Sequence, residues 1–318
     1  AAVGKIRWRL CFVLFYVQVT FRNFRIVEGH SKGMASFKYI IKRPEFFDRL
    51  REKAAKSKVG FALFEFVLFG MKQAWAALFG GLLLGFILLS SVWYPGSDYL
   101  HRYDFLFIIA LAIQGGLLLF KLETWEEAKI IFLFHIVGTV MELFKTAMGS
   151  WVYPEECIFF IGGVPLFSGF MYSAVGSYIA RVWRAFDFRF EGYPPLWQTN
   201  IIAVLIYLNF FTHHYLPDIR WGLFVALGVI YFKTRVYFRV DRNHYWMPLL
   251  LGFLLVALFI WFGEQIGTLA RAWQYPNQAS GWQMVSLGKL GSWYLLMIIS
   301  FVLVTWLHPI RSMREKKD

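Results

Sequence analysis

Charge and cysteine are scarce in this sequence. Charged residues make up only 17% of its 318 residues, and the two cysteines are Cys11 and Cys157. Two cysteines cannot supply a disulfide framework or a four-cysteine zinc site. No stretch matches the glycine-rich phosphate loops, dinucleotide fingerprints or serine nucleophile elbows of common enzymes. So little charge also excludes an ordinary soluble globular protein.

Apolar residues are abundant instead. They account for 58% of the chain, and the mean hydropathy is +0.51. A helix needs about 20 largely apolar residues to cross a bilayer. Continuous apolar runs favour helices over a barrel, whose strands alternate. The sequence therefore predicts an all-α, polytopic membrane helical bundle with eight spans, at residues 75–93, 104–121, 129–149, 157–180, 199–214, 221–233, 246–267 and 291–308.

The lysines and arginines are distributed unequally between the two sides of these spans. Twenty-seven lie in segments that a cytoplasmic amino terminus places inside, and the opposite side holds four: Arg102, Arg220, Arg271 and Lys289. Because cytoplasmic loops collect positive charge, we expect a multi-pass membrane protein with both termini in the cytoplasm. This bias accounts for the net charge of +13 without a nucleic-acid partner.

Both ends of the chain are basic. Residues 1–60 form a predicted cytoplasmic or interfacial segment, in which the stretch LCFVLFYVQV is too short to span and is predicted to be an interfacial helix. The positive charges there favour contact with anionic lipid headgroups. Residues 311–318 form a basic cytoplasmic tail. Cys11 and Cys157 are expected on opposite sides of the membrane, so they cannot pair with each other.

One pattern occurs twice in the sequence. The pattern E-x3-T-x4-W-x-Y-P recurs at an offset of 122 residues, as Glu142, Thr146, Trp151, Tyr153 and Pro154 and again as Glu264, Thr268, Trp273, Tyr275 and Pro276. Pro95 and Pro217 share this offset. An even number of predicted spans separates the copies, so we predict two parallel four-helix repeats, at residues 61–197 and 198–310.

The two repeated glutamates are the main candidate site. The tryptophans and tyrosines of the pattern are expected at the membrane interface, which places Glu142 and Glu264 within the membrane, facing each other near the repeat axis. Ionisable groups at such depth are costly and usually functional. Lys145 lies three residues after Glu142 on the same helical face. Acid and base chemistry is one interpretation, and a structural ion pair between Glu142 and Lys145 is the other.

Several histidines accompany these glutamates. His135 lies two helical turns before Glu142 and is either part of a proton relay or, more commonly for such residues, a packing histidine with a hydrogen bond. His213 and His214 are predicted on the same side as His101, where Asp98 or Asp218 would complete a metal site. Their spacing is not specific for metal, and we favour solvated histidines at a helix end and no metal.

Small residues mark the fourth predicted span. Gly169 and Ser173, like Gly176 and Ala180, lie four residues apart and favour close approach of another helix. Pro165 interrupts the same stretch, and a second interpretation is that this break exposes backbone groups to a ligand.

Four stretches resemble a bacterial integral membrane family known as domain of unknown function 817. They are LFHIVGTVMELFKTAMGSWVYPE, GGVPLFSGFMY, IYLNFFTHHYLPDIRW and MVSLGKLGSW, and the resemblance covers residues 70–308. It implies an inner-membrane protein and brings no activity with it.

A shorter resemblance concerns the stretch PEECIFF. Its Glu155, Glu156, Phe159 and Phe160 are similar to a motif of membrane lycopene cyclases, and Gly149, Trp151, Tyr153 and GVPLF are similar to carotenoid hydratases. The resemblance implies that an acid protonates a polyene double bond while aromatic faces stabilise the carbocation. The second repeat departs from this motif with Asn277 and Gln278.

The leading functional prediction is a membrane protein that binds or modifies an apolar lipid or isoprenoid. The predicted catalytic residues are Glu142, Glu264, Lys145 and Glu156. The predicted ligand-binding residues are Trp151, Tyr153, Trp273, Tyr275, Thr146, Thr268, His135, His213 and His214. The alternatives are a proton-coupled transporter of small solutes and a noncatalytic scaffold that binds a membrane-protein partner. The sequence specifies no cofactor.

Overall fold

The computed structural model describes residues 45–94, 99–306 and 308–313. The predicted interfacial helix, Cys11, Pro95, Asp98 and residues 314–318 of the basic tail lie outside the described residues. The chain divides into two units, with the boundary between Leu68 and Phe69.

The first unit contains α1, Glu45–Ala54, and the beginning of α2, Lys58–Ala76. The Ser57 hydroxyl oxygen accepts a hydrogen bond of 2.9 Å from the Gly60 backbone N–H at the start of α2. The guanidinium of Arg51 lies over the Phe61 ring at 5.9 Å. These contacts give the described end of the basic segment a helical structure that was not predicted from the sequence.

The second unit is a helical bundle. Its helices are α3, Leu78–Trp93; α4, Arg102–Leu119; α5, Trp125–Ala147; α6, Phe167–Phe186; α7, Leu196–Thr212; α8, Arg220–Tyr231; α9, Leu249–Leu269; and α10, Leu287–Thr305. Helix α5 begins with a capping box, in which the Thr124 side chain and the Glu127 side chain each accept the other residue's backbone N–H. The helical class predicted from composition is confirmed.

Five described helices are long and apolar enough to cross a membrane: α2, α4, α5, α9 and α10. Helices α3, α7 and α8 are apolar but shorter, with 16, 17 and 12 residues. Helix α6 carries Arg181 and Arg184 and is not among the five. Helix α2 is a further apolar helix that was not predicted, because Glu65 and Lys72 interrupt its apolar sequence. The structure is therefore that of a membrane protein.

Two small sheets lie in the connections between helices. Strands β1, Phe160–Ile161, and β2, Val164–Pro165, form an antiparallel hairpin, and β3, Arg189–Glu191, pairs with β4, Arg235–Arg239, which pairs with β5, His244–Pro248. The predicted span at residues 157–180 is therefore wrong in its first ten residues, because its helix begins at Phe167. Gly162 and Gly163, with φ of 55° and 80°, supply the left-handed turn that such a hairpin requires.

Helices α5 and α6 pack closely through small residues. A Cβ added at Gly169 would lie 2.5 Å from His135 Nδ1, and one added at Gly176 would lie 2.7 Å from the Phe134 ring. The Ser173 hydroxyl donates a hydrogen bond of 2.8 Å to the Ile131 carbonyl across the same contact. The predicted role of the small residues in close helix packing is confirmed.

Replacing Gly176 with alanine should separate α5 from α6. The new methyl group would overlap the Phe134 ring, and overpacking of this kind costs about 1–3 kcal/mol. The matched control is Gly116→Ala in α4, where an added Cβ meets nothing within 4 Å. Thermal unfolding in detergent should show a lower midpoint for Gly176→Ala and an unchanged or higher one for the control. Equal midpoints would contradict this account of the packing.

Candidate functional site

Glu142 lies in α5 and is 3% exposed. Its carboxylate accepts three hydrogen bonds, from Trp151 Nε1 at 2.7 Å, Tyr153 OH at 2.6 Å and Tyr172 OH at 2.8 Å. Trp151 and Tyr153 belong to the loop that follows α5, and Tyr172 belongs to α6. Each donor is aromatic, so the buried carboxylate is satisfied by hydrogen bonds and enclosed by rings.

Glu264 lies in α9, is 4% exposed and has a similar environment. Its carboxylate accepts hydrogen bonds from Tyr275 OH and, at 2.7 Å, from Trp293 Nε1. Tyr275 comes from the loop after α9, and Trp293 comes from the next helix, α10. Each glutamate therefore accepts at least one hydrogen bond from the loop that follows its own helix and one hydrogen bond from the next helix.

The surroundings of the two glutamates adjoin each other. The ring centroids of Trp151 and Tyr275 are 6.0 Å apart, and those of Tyr172 and Trp293 are 6.3 Å apart. Beside them, Val152 and Gln274 exchange two backbone hydrogen bonds of 2.9 Å each. We call Trp151, Tyr153, Tyr172, Tyr275 and Trp293 the aromatic cluster.

Lys289 contributes a positive charge to this site. Its Nζ lies 4.4 Å from the centroid of the Tyr275 ring and 5.1 Å from that of Trp151. It interacts electrostatically with both Glu264 and Glu142. Lys289 was not predicted as a site residue, although it is one of the four basic residues that the charge pattern places on the side opposite the cytoplasm.

The loop tyrosines act as hydrogen-bond donors. Burial, together with the nearby charge of Glu142, raises the pKa of Tyr153 well above its ordinary value, and burial with the charge of Glu264 does the same for Tyr275. Both phenols therefore keep their protons at physiological pH and donate them to the carboxylates.

The predicted ion pair between Glu142 and Lys145 is wrong. Lys145 Nζ lies 3.2 Å from His213 Nε2 and 2.8 Å from His214 Nε2, and it lies over the Phe210 ring at 4.4 Å. The aromatic donors already occupy the Glu142 carboxylate, and Lys145 instead contacts Phe210 and the two histidines that follow α7. His213 and His214, predicted as solvated or metal-binding, instead contact this lysine. Among the described residues there is no group of three or more histidine, cysteine, aspartate or glutamate side chains arranged to hold a metal ion.

His135 packs in the interface of α5 and α6. Its ring centroid lies 4.3 Å from that of Phe170, and its buried Nδ1 has no hydrogen-bond partner in the described part of the chain. The packing interpretation is therefore confirmed, and Nδ1 does not make the hydrogen bond that we expected of this histidine. The relay from His135 to Glu142 stays a prediction.

The repeated threonines and Trp273 make local contacts. The Thr268 hydroxyl donates to the Glu264 carbonyl at 2.9 Å and accepts from Trp282 Nε1 at 3.2 Å. The Thr146 hydroxyl is buried without a partner among the described residues. Trp273 covers Gly267, where an added Cβ would lie 2.2 Å from the ring. The ligand-binding role of Thr146, Thr268 and Trp273 stays a prediction.

Glu156 is exposed and lines a cavity of about 510 Å³ whose lining residues do not include Glu142 or Glu264. Arg102 forms one wall of this cavity and is 8% exposed. It donates to Glu155 Oε1 at 2.5 Å and to the Ala270 carbonyl at 2.8 Å. Arg102 thus joins α4, the PEECIFF segment and the end of α9. The four predicted catalytic residues therefore lie in three separate places. Glu142 and Glu264 adjoin each other through the aromatic cluster, whereas Lys145 contacts the two histidines and Glu156 lines the cavity.

Removing the Glu142 carboxylate should destabilise the protein. Glu142→Leu would leave three aromatic donors buried without an acceptor, and each such loss costs about 1–3 kcal/mol. Thermal unfolding in detergent should show a large decrease for Glu142→Leu and a smaller one for Glu142→Gln, whose amide oxygen still accepts. Glu126→Leu on the exposed start of α5 is the control. If Glu142→Leu unfolded like this control, the hydrogen bonds would not stabilise the fold.

Comparison with known proteins identifies a family for this chain but no activity. The family described as a protein of unknown function, DUF817, matches residues 65–301. The uncharacterized protein YoaT of Bacillus subtilis (strain 168) is 42% identical over 256 residues, which cover 80% of this chain and 96% of that protein. No solved structure matches. The resemblance of PEECIFF to lycopene cyclases stays a prediction. The match over most of the chain and the identity with YoaT show that this protein belongs to the DUF817 family.

Proposed function

We propose that this chain is a multi-pass membrane protein that binds an apolar, isoprenoid-type lipid and transfers protons to and from one of its double bonds. The observation that carries the proposal is the pair of buried glutamates whose hydrogen-bond donors, among the described residues, are tyrosine and tryptophan side chains. A buried carboxyl group beside aromatic faces can act as an acid toward an alkene, which offers no polar group of its own to bind.

Charge balance supports a shared proton in this site. Lys289 contributes one positive charge against the carboxyl groups of Glu142 and Glu264. A net buried charge is costly. The lysine and the two glutamates are therefore neutral together when one glutamate is protonated and the other is ionised. The protonated glutamate adds its proton to one carbon of a double bond, which leaves the positive charge on the other carbon of that bond. The ionised glutamate then removes a proton from the next carbon along the chain, and the double bond re-forms between that carbon and the cationic one. The lipid is isomerised, the pair regains its proton, and no further reactant is needed.

The aromatic cluster supports the same reaction. The positive intermediate would lie near ring faces, which attract cations. Lys289 already demonstrates this attraction, since its ammonium lies over Tyr275 and Trp151. The rings also exclude water, which would otherwise capture the intermediate.

An exposed apolar segment gives the lipid a route from the bilayer. Trp282, Met284 and Leu287 are 46%, 60% and 67% exposed, and they precede Lys289 in the chain. An apolar substrate that contacts these side chains within the membrane would meet Lys289 and the aromatic cluster next.

We also propose that the chain contains two parallel repeats, within the predicted segments 61–197 and 198–310. Helices α3–α6 would correspond in order to α7–α10, and all eight would span the membrane with both termini in the cytoplasm. Val152 and Gln274 are 122 residues apart and pair antiparallel with each other. An antiparallel pair between equivalent residues is what a two-fold axis between the copies would produce.

Solvent deuterium provides the test of the proposed chemistry. Protein in lipid nanodiscs would be incubated in deuterated buffer with a lipid extract of the expression host, and the lipids analysed by mass spectrometry. Wild type should add one deuterium to an isoprenoid species, because the transferred proton exchanges with solvent. Glu142→Gln and Glu264→Gln should each reduce incorporation by about 100-fold or more, since general acid–base catalysis contributes about 100- to 10,000-fold.

The control is Glu126→Gln, which changes an exposed glutamate of the same helix and should incorporate deuterium normally. Normal incorporation by both site variants, with folding intact, would overturn the proposed function.

Disulfide formation tests the repeat arrangement. In a background with Cys11 and Cys157 replaced by serine, Val152→Cys with Gln274→Cys should form an intramolecular disulfide on mild oxidation. Hydrogen-bonded antiparallel partners lie about 5.5 Å apart between Cα atoms, which suits a disulfide. Protection of both thiols from alkylation measures the bond, and the single cysteine variants are the controls. Full alkylation of the double variant would contradict the pairing.

A further inference from the structure

We propose that Lys145, His213 and His214 form a binding site for a phosphate-type oxyanion, separate from the chemistry at Glu142 and Glu264. This site does not depend on the proposed function. It follows from the contacts of a buried lysine that lacks a negatively charged partner.

Lys145 lies near the end of α5 and is 5% exposed. Its Nζ lies 3.2 Å from His213 Nε2 and 2.8 Å from His214 Nε2, and the two imidazole centroids are 4.2 Å apart. An ammonium group can only donate, so both Nε2 atoms accept in these contacts. The 2.8 Å contact between His213 Nδ1 and the Asn209 carbonyl fits this tautomer, since Nδ1 then carries the proton.

The charge on Lys145 is not balanced by a described neighbour. Asp218 is the one carboxylate that favours the charged lysine electrostatically. It is already paired with Arg220 at 3.0 Å and accepts a hydrogen bond from Asn209 at 3.0 Å. A buried cation without a counter-charge is costly, and a bound anion would remove that cost.

The surrounding elements add positive charge. Arg220 at the start of α8 and Lys289 at the start of α10 both act on Lys145. An imidazole with its proton on Nε2 donates from that atom, so Lys145 Nζ and the Nε2 atoms of His213 and His214 can offer three donors to one anion. Phosphate and sulfate groups have enough oxygens to accept all three hydrogen bonds.

Binding should take up protons. Burial, followed by the charges of Lys145 and His213, lowers the pKa of His214. An anion between these groups would reverse the effect of the charges, so His214 gains a proton as the anion binds. By linkage, affinity should rise as pH falls through the range in which histidine titrates.

Sulfate is the first probe, because its charge is constant over this pH range. The full chain in phosphatidylcholine nanodiscs would be titrated with sulfate by calorimetry. We expect binding that is roughly tenfold tighter at about pH 6 than at about pH 8. Lys145→Met should abolish binding, and Lys145→Arg should retain it. The matched control Lys129→Met removes an exposed lysine of the same helix and should bind normally.

Two further variants separate this site from a structural role and from the proposed function. His213→Gln with His214→Gln should keep weak binding with a smaller pH dependence, which a purely structural role would not predict. Glu142→Gln should bind sulfate as wild type does, even where deuterium incorporation fails. Absence of sulfate binding by wild type at both pH values, or normal binding by folded Lys145→Met, would overturn the proposal.

The source of the anion is tested with lipids. Nanodiscs that contain phosphatidic acid present the same phosphate chemistry as a lipid headgroup. If they prevent sulfate binding while phosphatidylcholine nanodiscs allow it, the site binds a headgroup. If sulfate and inorganic phosphate bind equally in both, the site binds a free anion.

Discussion

The structure depends on satisfying two carboxyl groups buried inside a membrane bundle. An unsatisfied carboxylate at that depth would cost more than most single interactions in the fold can return. The chain meets this demand by folding the loop after α5 and the loop after α9 back onto their own helices, which brings Tyr153 and Tyr275 to Glu142 and Glu264. The returning loops meet at Val152 and Gln274, whose backbone groups pair with each other. The loop conformations therefore follow from the glutamates.

The same demand fixes the packing of α5 on α6. Tyr172 must approach Glu142 across the interface. Its ring is so close to Gly138 that a Cβ added there would lie only 2.6 Å from it. Gly169 and Gly176 keep the rest of the interface equally close. The small residues thus allow a polar contact as well as dense apolar packing. A bulkier interface would move Tyr172 away and leave one carboxylate oxygen without its donor.

The sequence predicts the helices and the paired glutamates well, because both produce local signals. Apolar runs locate most helices, and the recurrence of Glu142 and Trp151 as Glu264 and Trp273 marks the site. Tertiary partners are harder to predict. The spacing of Glu142 and Lys145 permits an ion pair. Aromatic side chains outside that helix, however, already donate three hydrogen bonds to the Glu142 carboxylate. The contact of Arg102 with Ala270 joins residues 168 positions apart, which no local pattern indicates. The Gly162 and Gly163 pair was a recognisable hairpin signal within the predicted span.

The two halves of the site differ where chemistry would need them to differ. Glu142 accepts three hydrogen bonds and Glu264 two. At the offset of 122, Tyr172 corresponds to Tyr294, while Trp293, the donor to Glu264, corresponds to Met171. Lys289 corresponds to Phe167, so the positive charge has no equivalent in the first half. Two identical carboxyl groups would share a proton equally and provide no direction for its transfer. In the proposed reaction, the third hydrogen bond favours the negative charge on Glu142, while Lys289, which interacts more strongly with Glu264 than with Glu142, favours it on Glu264. The two carboxyl groups therefore hold the shared proton in different environments.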